Sequence, residues 1–132
     1  MKLQRVIYEL FESDLASLRD FSDWHEIDRE IFLEFENGEK RYFSWCDEPI
    51  QYSMGMQDKR FNTGEPDHIL DVSNWDMWQS LIGTKIEFID KEPHQIIEVK
   101  GPKKSVYLSN QEQGSWFSDV LHISNELPKI SS

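Results

Sequence analysis

The sequence predicts a mainly β, single-domain antiparallel sandwich or partly open barrel with one or two short helices. Three features predict this fold class: strict alternation of apolar and acidic residues over 26–36, an Asn-Gly dipeptide directly after that segment, and further short apolar runs separated by turn residues. No long helical pattern lies between successive runs, so antiparallel pairing is favoured over a parallel sheet. No linker or change in composition divides residues 1–132, which predicts one domain.

The alternating segment is predicted to be one β-strand, because its apolar residues recur with the period of a pleated chain. The residues predicted to face the core are Ile27, Ile31, Leu33 and Phe35, and those predicted to face outward are Glu26, Asp28, Glu30, Glu34 and Glu36. Asn37 and Gly38 then predict a type I′ turn, since both central residues of that turn need positive φ. The two segments around the turn therefore form a hairpin.

A two-residue turn fixes the register of this hairpin. Glu34 is predicted to lie opposite Arg41 as an ion pair, and Phe32 opposite Phe43 as an aromatic pair. The same register sets two acids, Glu36 and Glu39, against each other beside the turn, which would instead indicate a longer loop.

Further elements follow from shorter patterns. Strands are predicted around the alternating residues Ile50, Tyr52, Met54 and Met56, and over 85–89, 95–100, 105–109 and 119–124. Short helices are predicted over 13–18, with Ser13 or Asp14 as N-cap, and over 73–83, with Ser73 or Asn74 as N-cap and Gly83 at the end. Residues 3–10 fit a helix by spacing and a strand by composition, and both stay open.

Charge and cysteine content limit the classes of function. Lys and Arg number 14 and Asp and Glu 25, so the net charge is −11, which disfavours nucleic acid and anionic membranes and would speed encounter with a basic partner. Cys46 is the only cysteine, so an intramolecular disulfide is excluded and a reducing cytoplasm is expected. Neither a secretory signal nor a membrane-spanning apolar run occurs, which predicts a soluble, uncleaved protein.

Two segments contain metal-ligand residue types, yet no metal site is predicted. The His25-Glu26 pair begins a zinc-binding helix motif, but Arg29 stands where the second histidine is required. His25 is expected on the surface among carboxylates, which would raise its pKa. A loop contains the other candidates, which Pro66 prevents from aligning on a helix: Glu65, Asp67, His68 and Asp71.

No catalytic residue or cofactor is predicted. The acids Asp47 and Glu48 follow Cys46 and would raise the pKa of its thiol, whereas a nucleophilic cysteine needs a lowered pKa. The chain has no nucleophile elbow, glycine-rich phosphate loop or cluster of basic and aromatic residues. Among 25 acids, no pair suited to glycoside hydrolysis can be singled out.

An acidic surface around the alternating segment is the candidate binding site. Acids at alternate positions of a strand lie about 7 Å apart and repel one another. A solvated face that protects an edge strand from aggregation would explain them. The aromatic residues Phe32, Phe43 and Trp45 are predicted on the same face, which suits either cover by the helix over 14–19 or a partner surface with aromatic anchors inside a charged rim. The predicted partner-binding residues are Asp23, Trp24, Glu26, Asp28 and Glu30.

Residues 33–45, 50–56, 71–90 and 117–128 together resemble small uncharacterised bacterial proteins in which a "W…LIG.KI" element precedes a hairpin. Some of those look like immunity proteins from toxin and immunity neighbourhoods. The resemblance lies in turns and core residues, so it carries over no catalytic residue. It favours a bacterial binding protein. Together with the acidic surface, it predicts a non-enzymatic protein that occludes a basic partner such as a nuclease toxin.

Two other classes of function stay open. A small-ligand or enzymatic barrel would hold Tyr52, Met54, Trp75 and Trp78 in its interior, although such residues at strand spacing are typical of a packed core. An acidic mimic of DNA is disfavoured, because the charge is patchy along the chain.

Overall fold

A computed structural model describes residues 1–46, 53–91, 95–110 and 120–128. These residues form two five-stranded antiparallel sheets, in the orders β5-β4-β3-β1-β6 and β2-β10-β9-β8-β7, which confirms the predicted sandwich. The strands are β1 Leu3–Leu10, β2 Trp24–Ile27, β3 Glu30–Phe35, β4 Lys40–Cys46, β5 Ser53–Gln57, β6 His68–Asp71, β7 Glu87–Lys91, β8 Ile96–Lys100, β9 Ser105–Ser109 and β10 Leu121–Ser124. The described ranges contain no helix long and apolar enough to cross a membrane.

The predicted continuous strand over 26–36 is wrong, because the chain changes sheets within it. The first part, β2, pairs with β10 in the second sheet, and β3 lies between β1 and β4 in the first. Asp28 and Arg29 connect them, and the buried Arg29 side chain donates to the Gly64 carbonyl at 2.8 Å. The predicted core residues Ile27, Ile31, Leu33 and Phe35 are nevertheless all buried in the one core that both sheets enclose.

The hairpin between β3 and β4 has a three-residue loop, 36–38. The Phe35 amide donates to the Glu39 carbonyl and the Gly38 amide donates to the Phe35 carbonyl, both at 2.9 Å, and Gly38 has φ 90°. A turn followed by a glycine at positive φ is the usual form of this loop. The predicted two-residue turn is therefore wrong, and the longer loop indicated by the two acids is present.

The longer loop shifts the register by one residue. The observed pairs are Ile31 with Phe43, Phe32 with Tyr42, Leu33 with Arg41 and Glu34 with Lys40. Phe43 consequently lies in the main core, whereas Phe32 packs with Ile7, Tyr42 and Phe61 in a separate small cluster. The predicted face shared by Phe32 and Phe43 does not form.

Some of the remaining elements agree with the predictions and others differ in type or length. Residues 3–10 are a strand, and the two predicted helices are short 3₁₀ helices at Glu12–Ala16 and Gln79–Leu81. β6, at His68–Asp71, was expected to be a loop. Of the aromatic and Met residues assigned to a barrel interior, Met54 and Trp78 are buried in the packed core and Trp75 packs against it. Ile50 and Tyr52 lie outside the described residues.

A short segment, residues 60–62, covers the outer side of the first sheet. The carboxylates of Glu9 and Glu30 lie opposite each other on β1 and β3 and are both buried. Arg60 binds Glu9 with two hydrogen bonds of 2.8 and 2.7 Å, and Asn62 binds Glu30. One segment of the chain thus gives Glu9 a cationic partner and Glu30 a hydrogen-bond donor.

We expect Arg60→Met to lower the free energy of unfolding by about 3 kcal/mol, because it leaves the Glu9 carboxylate buried without its cation. Arg5→Met is the matched control: the Arg5 side chain is 47% exposed and its pair with Glu34 should contribute less than about 1 kcal/mol. Urea unfolding followed by tryptophan fluorescence measures both. Equal losses in the two variants would contradict this account of the segment.

Candidate functional site

Three exposed apolar side chains lie beside the edge strand β2. Phe21 is 78% exposed, Trp24 47% and Leu127 52%. They line one open groove with a volume of about 750 Å³, whose floor includes Met77. We call this the Phe21 groove, formed by residues 21–24, 76–77, 104, 122 and 124–128. Large apolar side chains gathered in one open groove are typical of a surface that another molecule covers.

The rim of the Phe21 groove is acidic. Asp23, Asp76 and Glu126 line it, and the cation that lines it, Lys104, donates to the Asp76 backbone carbonyl at 2.6 Å. Asp20 stands next to the groove and accepts the Asp76 amide at 3.0 Å. The charge of the groove is therefore net negative, as is that of the chain.

A tight turn presents Phe21. The Arg19 carbonyl accepts two hydrogen bonds, one from the Ser22 amide at 3.2 Å and one from Nε2 of His25 at 3.0 Å. Phe21 lies within this turn and points an apolar ring into solvent. Because His25 belongs to β2, the turn is fastened to the second sheet by a side chain.

His25 belongs to a buried chain of hydrogen bonds. Its Nδ1 lies 2.8 Å from the Tyr8 hydroxyl, and that hydroxyl accepts a hydrogen bond of 2.9 Å from Nε1 of Trp78. A carbonyl can only accept, so the bond to Arg19 places the imidazole proton on Nε2. Nδ1 then accepts from Tyr8, so each donor in this series of hydrogen bonds has an acceptor. The Trp75 ring packs edge-on against His25, with centroids 5.3 Å apart.

Burial keeps both His25 and Tyr8 in their neutral forms. It lowers the pKa of His25 below the ordinary 6.5, and the hydrogen bond to the Arg19 carbonyl and the nearby Asp20 only partly oppose that effect. Burial likewise raises the pKa of Tyr8. The expectation of a surface histidine with a raised pKa is wrong. The pKa of His25 is lower in the folded protein than in the unfolded chain. Its contribution to the free energy of unfolding is therefore complete above pH 6.5 and falls as the pH drops below that value.

The predicted partner-binding residues do not form one surface. Asp23 and Trp24 lie in the Phe21 groove. Glu26 is half-buried on β2, with Oε2 3.0 Å from Nδ1 of His122. Asp28 is exposed at the crossing between the sheets and lines a second cavity. Glu30 lies on the other sheet.

The prediction that Glu30 faces outward to a partner is wrong. Its side chain is fully buried, and Oε2 accepts hydrogen bonds from the amides of Phe61 and Asn62 and from the Asn62 side chain. Burial raises its pKa, and these bonds only partly oppose that effect. Segment 60–62 covers the face of β3 that the sequence pattern leaves polar, so this acid is internal.

The second cavity, of about 490 Å³, lies near Cys46 and the crossing between the sheets. Its polar lining residues bind other parts of the chain: Ser44 donates to the Arg29 carbonyl and Asn62 donates to Glu30. Asp28 also lines this cavity.

The acids and histidine of the 65–71 segment have local partners. His68 pairs with Glu12, the Asp67 carboxylate accepts the Glu12 amide at 3.0 Å, and Glu65 lies 3.7 Å from Arg60. In the part of the chain that the structure describes, no three His, Cys, Asp or Glu residues are grouped to hold a metal ion.

Sequence reasoning found Asp23 and Trp24 but missed most of the groove. Phe21 stands among polar residues, outside the predicted helix over 13–18 and the predicted strand over 26–36, and an aromatic residue in such a place is a signal that could have found it. Leu127 and Asp76 are far from Trp24 in sequence, so only the sandwich topology brings them to it.

Comparisons with known proteins give no relative: no protein-family model, curated protein or solved structure matches this chain. The resemblance to small bacterial proteins of immunity type stays a prediction.

We expect Tyr8→Phe to lower the free energy of unfolding by about 2 kcal/mol, because it leaves both the Trp78 indole N–H and Nδ1 of His25 buried without a partner. Tyr107→Phe, on half-buried Tyr107 of β9, is the matched control and should lose less than about 0.5 kcal/mol. Thermal and urea unfolding measure both variants. A Tyr8→Phe variant as stable as the control would show that the hydrogen-bonded chain contributes nothing.

Proposed function

We propose that this protein is a non-enzymatic, acidic binding module that covers a basic protein, of the kind by which an immunity protein neutralises a toxin. The observation that carries the proposal is the Phe21 groove, in which exposed Phe21, Trp24 and Leu127 lie within an acidic rim. Apolar anchors surrounded by a polar rim are the common anatomy of protein interfaces.

The chemistry of the groove favours a cationic partner. Arg and Lys side chains stack on the faces of Trp and Phe rings, and Trp24 and Phe21 both present exposed rings. Asp23 and Glu126 beside them can pair with the same cationic groups. The net charge of −11 would steer a basic protein toward the chain from a distance, so association should be salt-dependent.

His25 is buried and does not line the Phe21 groove, so it offers the groove no proton acceptor. Both its ring nitrogens are bonded within the chain, to Tyr8 and to Arg19, so neither is available to move a substrate proton. The Met and Trp residues assigned to a ligand-binding interior, Met54 and Trp78, pack in the core. A protein surface accounts for the exposed aromatic residues better than a small-ligand barrel does.

Site-specific photocrosslinking in the native host tests the proposal. A benzoylphenylalanine placed at position 21 should capture a basic protein, whereas the same group at position 69 should not, since Ile69 is 62% exposed but lies on β6, outside the groove. The captured protein is then purified, and its affinity for variants of the chain is measured by surface plasmon resonance at several salt concentrations.

We expect Trp24→Ala to weaken binding of the captured protein by about thirtyfold, because Trp anchors commonly contribute 2 kcal/mol or more. The double variant Asp23→Lys, Glu126→Lys should slow association about tenfold at low salt. Glu87→Lys, at an exposed position on β7, is the control for charge alone and should change association far less. An acidic captured protein, or full affinity in the groove variants, would overturn the proposal.

A further inference from the structure

The turn that carries Phe21 is bonded to one buried side chain, His25. Arg19 offers a single carbonyl oxygen to both Ser22 and His25, and the bond from His25 ties the turn to β2. Asp20 in the turn also accepts the Asp76 amide, so the turn has a second tie, to segment 73–83. His25 itself is 1% exposed, so the residues that shield it from water must move before its ring can be hydrated.

The hydrogen bonds around His25 are complete only for the neutral ring. A proton added to Nδ1 would face the Tyr8 O–H, which is itself a donor at that position. The Tyr8 oxygen already accepts from Trp78, so the hydroxyl would have to turn away and lose its acceptor. The oxygen would then accept from both Trp78 and Nδ1, and the Tyr8 O–H would be buried without an acceptor beside a charged ring, which is costly.

Charged groups near His25 act in both directions. Asp20, in the turn, favours the charged ring, whereas His122, on neighbouring β10, disfavours it and is itself paired with Glu26. Tyr8 on β1 is a neutral phenol, and Trp75 and Trp78, which pack from segment 73–83, are uncharged. Among the described residues, Asp20 is the carboxylate whose charge favours the protonated ring.

We propose that His25 is an acid-sensitive latch for the turn over residues 19–22. The neutral ring holds the Arg19 carbonyl and keeps Phe21 at the wall of the groove. A protonated ring is hydrated only when the turn lifts, so acidification opens the turn and displaces Phe21. That opening would release a partner, a consequence that rests on the proposed function, whereas the opening itself does not.

Hydrogen exchange on the full chain without any partner tests the latch. Exchange is followed by mass spectrometry at about pH 7.5 and about pH 5.5 and corrected for intrinsic rates. We expect the protection of residues 17–24 to fall by up to about tenfold between the two pH values. This is the increase in the open population if His25 titrates near pH 6.5 in the open form and stays neutral in the closed form. Protection of β3 and β9 should stay well above that of residues 17–24 at both pH values, because those strands open only with the whole fold, whose stability also falls through His25. Equal protection of residues 17–24 and of these strands would show that the turn does not open on its own.

Three variants separate the latch from other effects of pH. His25→Gln keeps a donor for Arg19 and does not titrate, so its loss of protection should be less than about twofold. His122→Gln should keep most of the response, because the charge of His122 is the smallest of the effects on His25. Tyr8→Phe removes the opposing donor and should weaken the response. An unchanged protection in the wild-type chain, or a response that disappears with His122→Gln, would overturn the latch while leaving the binding proposal standing.

Discussion

The buried hydrogen bonds from Trp78 to Tyr8 and from Tyr8 to His25 hold together the parts of this protein that matter most for its surface. Tyr8 belongs to the first sheet and His25 to the second, so the bonds cross the sandwich. The last bond, from His25 to Arg19, extends the same constraint to an exposed turn. Because every member is neutral and each donor meets one acceptor, loss of any member leaves a buried polar group without a partner.

This arrangement explains how a small sandwich can expose aromatic residues in a fixed place. Phe21 contributes almost nothing to the core, yet the turn below it is tied to two sheets. Trp24 begins β2, so its position follows from the pairing of β2 with β10. The groove between them has the buried Met77 at its floor and exposed apolar side chains at its wall.

The sequence predicted the core more successfully than the surface. Ile27, Ile31 and Leu33 all occupy odd-numbered positions, and all are buried. One continuous strand and two strands joined by a two-residue connection place the same odd-numbered residues in the core. The pattern therefore could not reveal the change of sheet. It also could not reveal that segment 60–62 covers Glu30, because that contact joins residues about thirty positions apart. The sequence neighbours of His25 include acids, whereas its neighbours in the folded protein are aromatic rings. Its burial therefore could not be predicted without the topology.

The protonation state of His25 is the most direct measure of the central claim, that a neutral hydrogen-bonded chain fixes the turn of the groove. Long-range proton–nitrogen NMR spectra of ¹⁵N-labelled protein near neutral pH report which ring nitrogen carries the proton. We expect a neutral ring with the proton on Nε2 and an unprotonated, hydrogen-bonded Nδ1. A proton on Nδ1, or a charged ring at that pH, would contradict the account.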